Sequence, residues 1–145
     1  MLMHICQIKQ PWEYDEIAAL AWLPHAVRSA FSRFSDRTKD IIAFKYVKNG
    51  RIEGVGIGKL KQNHLGKHLV IGHLNVKDGC RSQGIGSALL NHFLEFSTRS
   101  HVPCRLQVAP SNYKARRLYG RFDFSVASDE QDPKTLWMAR NPSSL

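Results

Sequence analysis

Hydrophobic and polar positions change period several times along the chain, and each change marks an element. His4 to Ile8 reads as a short strand that Pro11 ends. Trp12, Ile17, Leu20 and Leu23 then recur at helical spacing, with Glu13, Asp15 and Glu16 early, where a helix N-terminus favours acids. Pro24 interrupts that run and suits the first position of a second helix reaching about Phe34. Phe34 to Lys39 is polar and turn-like. Three strands follow. Ile41 to Val47 ends at Asn49-Gly50, a type I′ hairpin signal, because both central residues of that turn need positive φ. Ile52 to Leu60 alternates, with Ile52, Gly54, Gly56 and Gly58 on one parity and Val55 and Ile57 on the other. Gln62 to Lys67 is a loop, and His68 to Val76 is an apolar strand.

From about Gly84 to Thr98 the period returns to helical. Ile85, Leu89, Phe93 and Phe96 form a buried stripe, widened by Leu90 and Leu94. Arg105 to Ala109 is a short strand, and Asn112 to about Phe122 a second amphipathic helix. Phe124 to Ala127 and Thr135 to Ala139 are closing strands. The order β-αα-βββ-α-β-α-ββ predicts an α/β (α+β) layer fold, a single domain over residues 1–145.

Composition narrows the class of protein. The chain has 145 residues, 43% hydrophobic and 23% charged, enough for one proper core without long disorder. No apolar run approaches a bilayer span, and the first residues lack the plan of a signal peptide, so the cytoplasm is the expected compartment and no membrane partner is expected. Cys6, Cys80 and Cys104 match no zinc spacing, and no metal is expected. The formal charge of +9 favours anionic partners, either nucleic acid or a multiply phosphorylated cofactor. The charge is spread without a block of five or more, so it does not choose between them.

The segment Cys80-Arg81-Ser82-Gln83-Gly84-Ile85-Gly86-Ser87 does choose. It joins an apolar strand to an amphipathic helix. Glycines there let the backbone approach a ligand closely, and the first helical turn offers unpaired N–H groups at the positive end of the dipole. Together they make a pyrophosphate site, with Arg81, and Lys77 if it reaches, adding charge. It is not a Walker A loop, since no Lys-Ser or Lys-Thr follows, nor the Rossmann fingerprint, since the third glycine is missing.

Downstream, Asn112 can cap a helix on which Ala115, Leu118 and Tyr119 share a face. The two segments together resemble the GNAT superfamily of N-acetyltransferases. Arg81 to Gly86 is similar to its Arg/Gln-x-x-Gly-x-Gly/Ala turn. Asn112, Ala115, Leu118-Tyr119 and Asp123-Phe124 are similar to its second block, and the resemblance covers about Ile41 to Ala139. Asp123 stands where the family usually has Gly, and Asp tolerates positive φ better than most residues.

This resemblance implies the GNAT fold, a mixed, mostly antiparallel sheet of six to seven strands flanked by about four helices. It implies acetyl-coenzyme A (coenzyme A) as cofactor and direct attack by an amine on the thioester. The acceptor would be a small-molecule amine or a protein amino group, and the assembly a monomer or homodimer. Arg81, Ser82, Gln83, Gly84, Ile85, Gly86 and Ser87 would hold the pyrophosphate, backbone groups of Leu74 and Val76 the pantetheine, and Asn112 would add a contact. Tyr119 would be the acid toward the coenzyme A sulfur, a phenol suited to a thiolate. Lys114 or Arg116 could reach the phosphates, although a solvated helix face is the plainer reading. Relatives often carry a Glu base where this chain offers Val70, Gly72 and Gln107. His73 and His68 are the nearest titratable side chains, and His73 is taken as the base. Counting by twos puts them on opposite strand faces, unless a bulge exchanges the parity. Two rival functions remain open: an acyl-coenzyme A sensor without turnover, and a basic nucleic-acid-binding domain.

Overall fold

The computed structural model describes residues 3–33, 40–64, 66–81, 83–132 and 134–142. Eleven elements run in order: β1 (Met3–Gln7), α1 (Pro11–Ala18), α2 (His25–Arg33), β2 (Ile41–Lys48), β3 (Arg51–Asn63), β4 (Gly66–Val76), α3 (Ile85–Ser100), β5 (Cys104–Val108), α4 (Tyr113–Arg121), β6 (Ser125–Asp132) and β7 (Thr135–Arg140). The seven strands form one sheet in the order β1-β2-β3-β4-β5-β7-β6. Among the described residues only β4 and β5 run parallel, so the sheet is mixed and mostly antiparallel, as expected.

Each face of the sheet has its own core. On one side, Ile85, Leu89, Leu90, Phe93 and Leu94 of α3 pack on Phe44, Leu69, Ile71 and Leu106, with Ala115 and Tyr119 of α4 at the margin. Fully burying each such side chain contributes about 1.5–3 kcal/mol. The glycines of β3 let α3 come this close: a Cβ on Gly54 would lie 2.7 Å from Ile85 Cγ2, and one on Gly56 2.6 Å from Phe93 Cε2. On the other side, Ile17, Leu23, Val27 and Phe31 of the α1–α2 region pack on Ile41, Ala43, Val55 and Ile57. Glu13 ties α1 down: Gln10 N–H donates to its carboxylate at 3.0 Å, and Lys45 Nζ of β2 lies 3.2 Å away.

Several boundaries differ from expectation. The first helix stops at Ala18 rather than Leu23 and continues as tight turns. In a straight helix Ile17 and Leu23 would point about 120° apart. The break lets both bury on the sheet, at 0% and 4% exposure. Pro24 precedes α2 rather than starting it, and its carbonyl accepts from Val27 and Arg28 N–H. The turn expected at Phe34 to Lys39 lies outside the described residues. The expected loop Gln62 to Lys67 is mostly strand, since β3 and β4 pair as far as Asn63 and Gly66. The Asn49-Gly50 turn has the expected positive φ, 52° and 76°.

Candidate active site

β4 and β5 pair only over Leu69↔Cys104, Val70↔Arg105 and Ile71↔Leu106. Beyond Ile71, β4 continues to Val76 paired with β3 alone, so its other edge has no strand partner among the described residues. The parting begins at a bulge. His73 pairs with Ile57 and Ile71 with Gly58, which leaves Gly72 as an extra residue. That residue changes the parity. His68 pairs with Lys61 and His73 with Ile57, and those partners are four apart on β3. The two histidines therefore share the α1–α2 face, correcting the plain period-two count. They differ in setting: His68 is 4% exposed, with its Nδ1 3.0 Å from the Gly66 carbonyl oxygen, and His73 is half-buried.

The free edge of β4 leads to the turn that opens α3. Gly84 caps the helix at φ 77°, a left-handed conformation that a side chain would strain. A groove of about 350 Å³ runs between Leu74 and Val76 on β4 and the Gly84 cap, Gly86 and Ser87 at the start of α3, with Leu118 of α4 also lining it. Arg81 also lines it. The Arg81 guanidinium donates to the Val76 carbonyl at 3.4 Å and stands 3.1 Å from Asp78, an exposed pair of small energetic worth.

Not every expected residue reaches this groove in the expected way. Ile85 lines it but is 2% exposed, with its side chain against Gly54, so only its backbone can serve a ligand. Ser82 lies outside the described residues. Gln83 is exposed on the turn and outside the lining. The Asn112 side-chain oxygen accepts from Ala115 N–H at 3.2 Å, so it acts as the helix cap, and a ligand contact is left to its amide nitrogen. Asn112→Ala is expected to cost about 1 kcal/mol in a urea denaturation midpoint shift. Arg116 is committed locally, donating to the Pro110 carbonyl at 2.8 Å and lying over the Tyr113 ring. Asp123 takes φ 68°, so the helix exit keeps the turn that a glycine would make. Asn75 and Cys80 line the groove without having been singled out; Asn75 alternates with Leu74 and Val76, and Cys80 sits beside Arg81.

Tyr119 follows Leu118, the groove's wall, with its ring edge-on to Phe124 at 5.9 Å. Its hydroxyl makes no hydrogen bond to the described residues. Burial raises its pKa above the ordinary phenol value, so it stays protonated and able to donate. His73 is on the opposite face, lining a cavity of about 170 Å³ beneath α2. Burial, and then the nearby Arg33 charge, lower its pKa, so the imidazole is neutral and able to accept a proton. Among the described residues no cluster of His, Cys, Asp or Glu could hold a metal, and no helix is long and apolar enough to cross a membrane.

The chain belongs to the acetyltransferase (GNAT) family, whose sequence model matches residues 5–124, a stretch that contains the parted β4–β5 pair and the glycine-capped start of α3. It is thus an acetyltransferase by family, with acetyl-coenzyme A as donor. Solved structures agree on the fold. The ribosomal-protein-S18-alanine N-acetyltransferase of Escherichia coli is 20% identical, with a TM-score of 0.71 over 99% of this chain and 96% of that one. The PaiA N-acetyltransferase of Thermoplasma acidophilum, solved with coenzyme A, is 15% identical, with a TM-score of 0.71 over 97% and 99%. Arabidopsis thaliana NAA60, solved with acetyl-CoA, is 18% identical, with a TM-score of 0.69 over 97% and 98%. A search of curated protein sequences finds no significant match.

Proposed function

We propose that this chain moves an acetyl group from acetyl-coenzyme A to a primary amine by direct attack, with the donor in the β4–α3 groove and the acceptor on the α1–α2 face. The observation that carries this reading is the parting of β4 from β5 above Ile71, beside the Gly84 turn. With no β5 pairing beyond Ile71, a thioester held along Leu74 to Val76 would be open to an amine from the His73 side.

The bound donor supplies an activated acyl carbonyl and a thiolate leaving group. Backbone N–H groups of Ile85, Gly86 and Ser87 would hold the pyrophosphate, and Arg81 would add a full charge. The edge of Leu74 to Val76 that β5 leaves open would orient the pantetheine arm and could offer an N–H toward the acyl carbonyl. A ring nitrogen of His73 takes a proton from the acceptor ammonium. Tyr119 Oη holds a proton for the departing sulfur from the other face.

Gly86 tests the groove cleanly. A Cβ there would meet only Val76 Cγ2, at 3.8 Å, an ordinary contact. Gly86→Leu should leave folding intact, because replacing glycine inside a helix favours the helix by up to about 1 kcal/mol. The leucine would project into the groove, so the Kd for coenzyme A should rise at least about tenfold, the equivalent of 1.4 kcal/mol. Calorimetry that found unchanged affinity in a normally melting variant would remove the groove from the donor site.

The pH profile tests His73. The charged groups lining its cavity are Arg33 of α2 and Lys59 and Lys61 of β3, and the Arg33 charge opposes protonation of the imidazole. Its pKa lies below 6.5, so kcat/KM should hold steady down to that pH and fall only below it, as the imidazole takes up a proton. His73→Gln should lower kcat and abolish this acid limb.

A further inference from the structure

The cavity beneath α2 has a sign. Arg33 closes α2 above it, Lys59 and Lys61 line it from β3, and Ala30, Ile57 and Val70 supply apolar walls. No carboxylate lines it among the described residues. The same face continues basic toward β5. Lys59 pairs with Val70 and Val70 with Arg105, so these three side chains share one row. Arg105 is 6% exposed and lies over the Trp137 ring at 5.0 Å. Glu13, at the Lys45 end of this face, pairs with Lys45 at 3.2 Å.

Resting on the acetyltransferase reading above, we infer that the acceptor is a small primary amine carrying a carboxylate or phosphate, held by Arg33, Lys59 and Lys61 with its amine toward His73. Lys59 and Lys61 follow Ile57, the partner of His73, at steps of two along β3, so the first cation lies roughly 7 Å along the strand from the His73 row. That spacing fits an amine and an anion within one small molecule. The cations repel a diamine and attract an anionic amine. They also favour the neutral form of the acceptor nitrogen, which is the form that attacks. The cavity's 170 Å³ is about the liquid volume of five or six waters, space for an amino-acid-sized body rather than a long chain. A free amino acid and an acidic peptide end both carry this chemistry.

The test uses matched acceptors with the full chain: β-alanine against β-alaninamide, phosphoethanolamine against ethanolamine, putrescine as a dication, and a peptide beginning Ala-Glu-Glu. Thiol release from acetyl-coenzyme A should give the anionic member of each pair at least a tenfold higher kcat/KM. In Arg33→Gln and Lys61→Gln that ratio should fall toward one. A free anionic amine well ahead of the peptide supports the small acceptor, and the reverse overturns it. Equal or faster turnover of the neutral members or putrescine overturns the inference. Coenzyme A binding is measured separately by calorimetry, and its absence would overturn the donor-groove reading instead. The anion site is then still decided by following the His73 ring resonances. Their displacement by β-alanine but not by β-alaninamide supports the site, and equal response to both overturns it.

Discussion

Tyr119→Phe is expected to lower kcat about a hundredfold while the KM for acetyl-coenzyme A changes little, the pattern of an interaction made only as the thiolate departs. The magnitude is the lower end of what a positioned general acid contributes. The fold should not suffer. The ring keeps its edge-on contact with Phe124, and the hydroxyl makes no hydrogen bond to the described residues, so its loss leaves no protein partner unsatisfied. Thermal melting should therefore be unchanged within a degree or two. Burial keeps the phenol protonated past its ordinary pKa of 10, so no loss of acid function is expected on the alkaline side below that pH. Turnover within a few-fold of the parent would reduce Tyr119 to a packing residue.

Gly56→Val should damage the fold substantially. Its Cβ would stand 2.6 Å from Phe93 Cε2 and 3.0 Å from Leu74 Cδ2. The Phe93 ring is fully buried and set edge-on against Phe44 at 4.9 Å, so it cannot swing aside as an exposed chain end would. Overpacking of this kind costs about 1–3 kcal/mol, and the extra methyls of valine push toward or past the upper figure. Restricting the unfolded chain by removing a glycine returns only about 0.4–1 kcal/mol. The net loss should appear as a melting temperature lower by roughly 5–10 °C for a chain of this size. Leu74 is the second neighbour, so the damage also reaches the open edge of β4. Coenzyme A affinity should fall in the variant even at temperatures where it remains folded.

Much of this was legible along the chain because it depends on neighbours in sequence. Positive φ at Asn49 and Gly50, and at Gly84, follows from backbone sterics at those residues. The Asn112 cap spans three residues, and the α3 stripe repeats within a turn. The helix exit at Asp123 keeps its left-handed φ because a short polar side chain tolerates it. The turn that opens α3 is local in the same sense: a strand, two glycines and a helix start.

Tertiary structure decided what depends on pairing between distant segments. Which face His73 takes turns on one extra residue at Gly72, and counting by twos cannot locate a bulge that the β3 register sets. The open edge of β4 exists because β5 joins it for three residues and then leaves, an outcome of strand order rather than of either strand's sequence. Arg33, Lys59, Lys61 and His73 lie on three elements, and they meet only because α2 packs across that face. Even the end of α1 at Ala18 answers to the sheet, where burying both Ile17 and Leu23 outweighs the helical continuation their spacing suggests. Local sterics and short-range hydrogen bonds fix turns and caps before the chain folds. The side of a strand, the edge of a sheet and the charge of a cavity are settled only when separate stretches of backbone come into register.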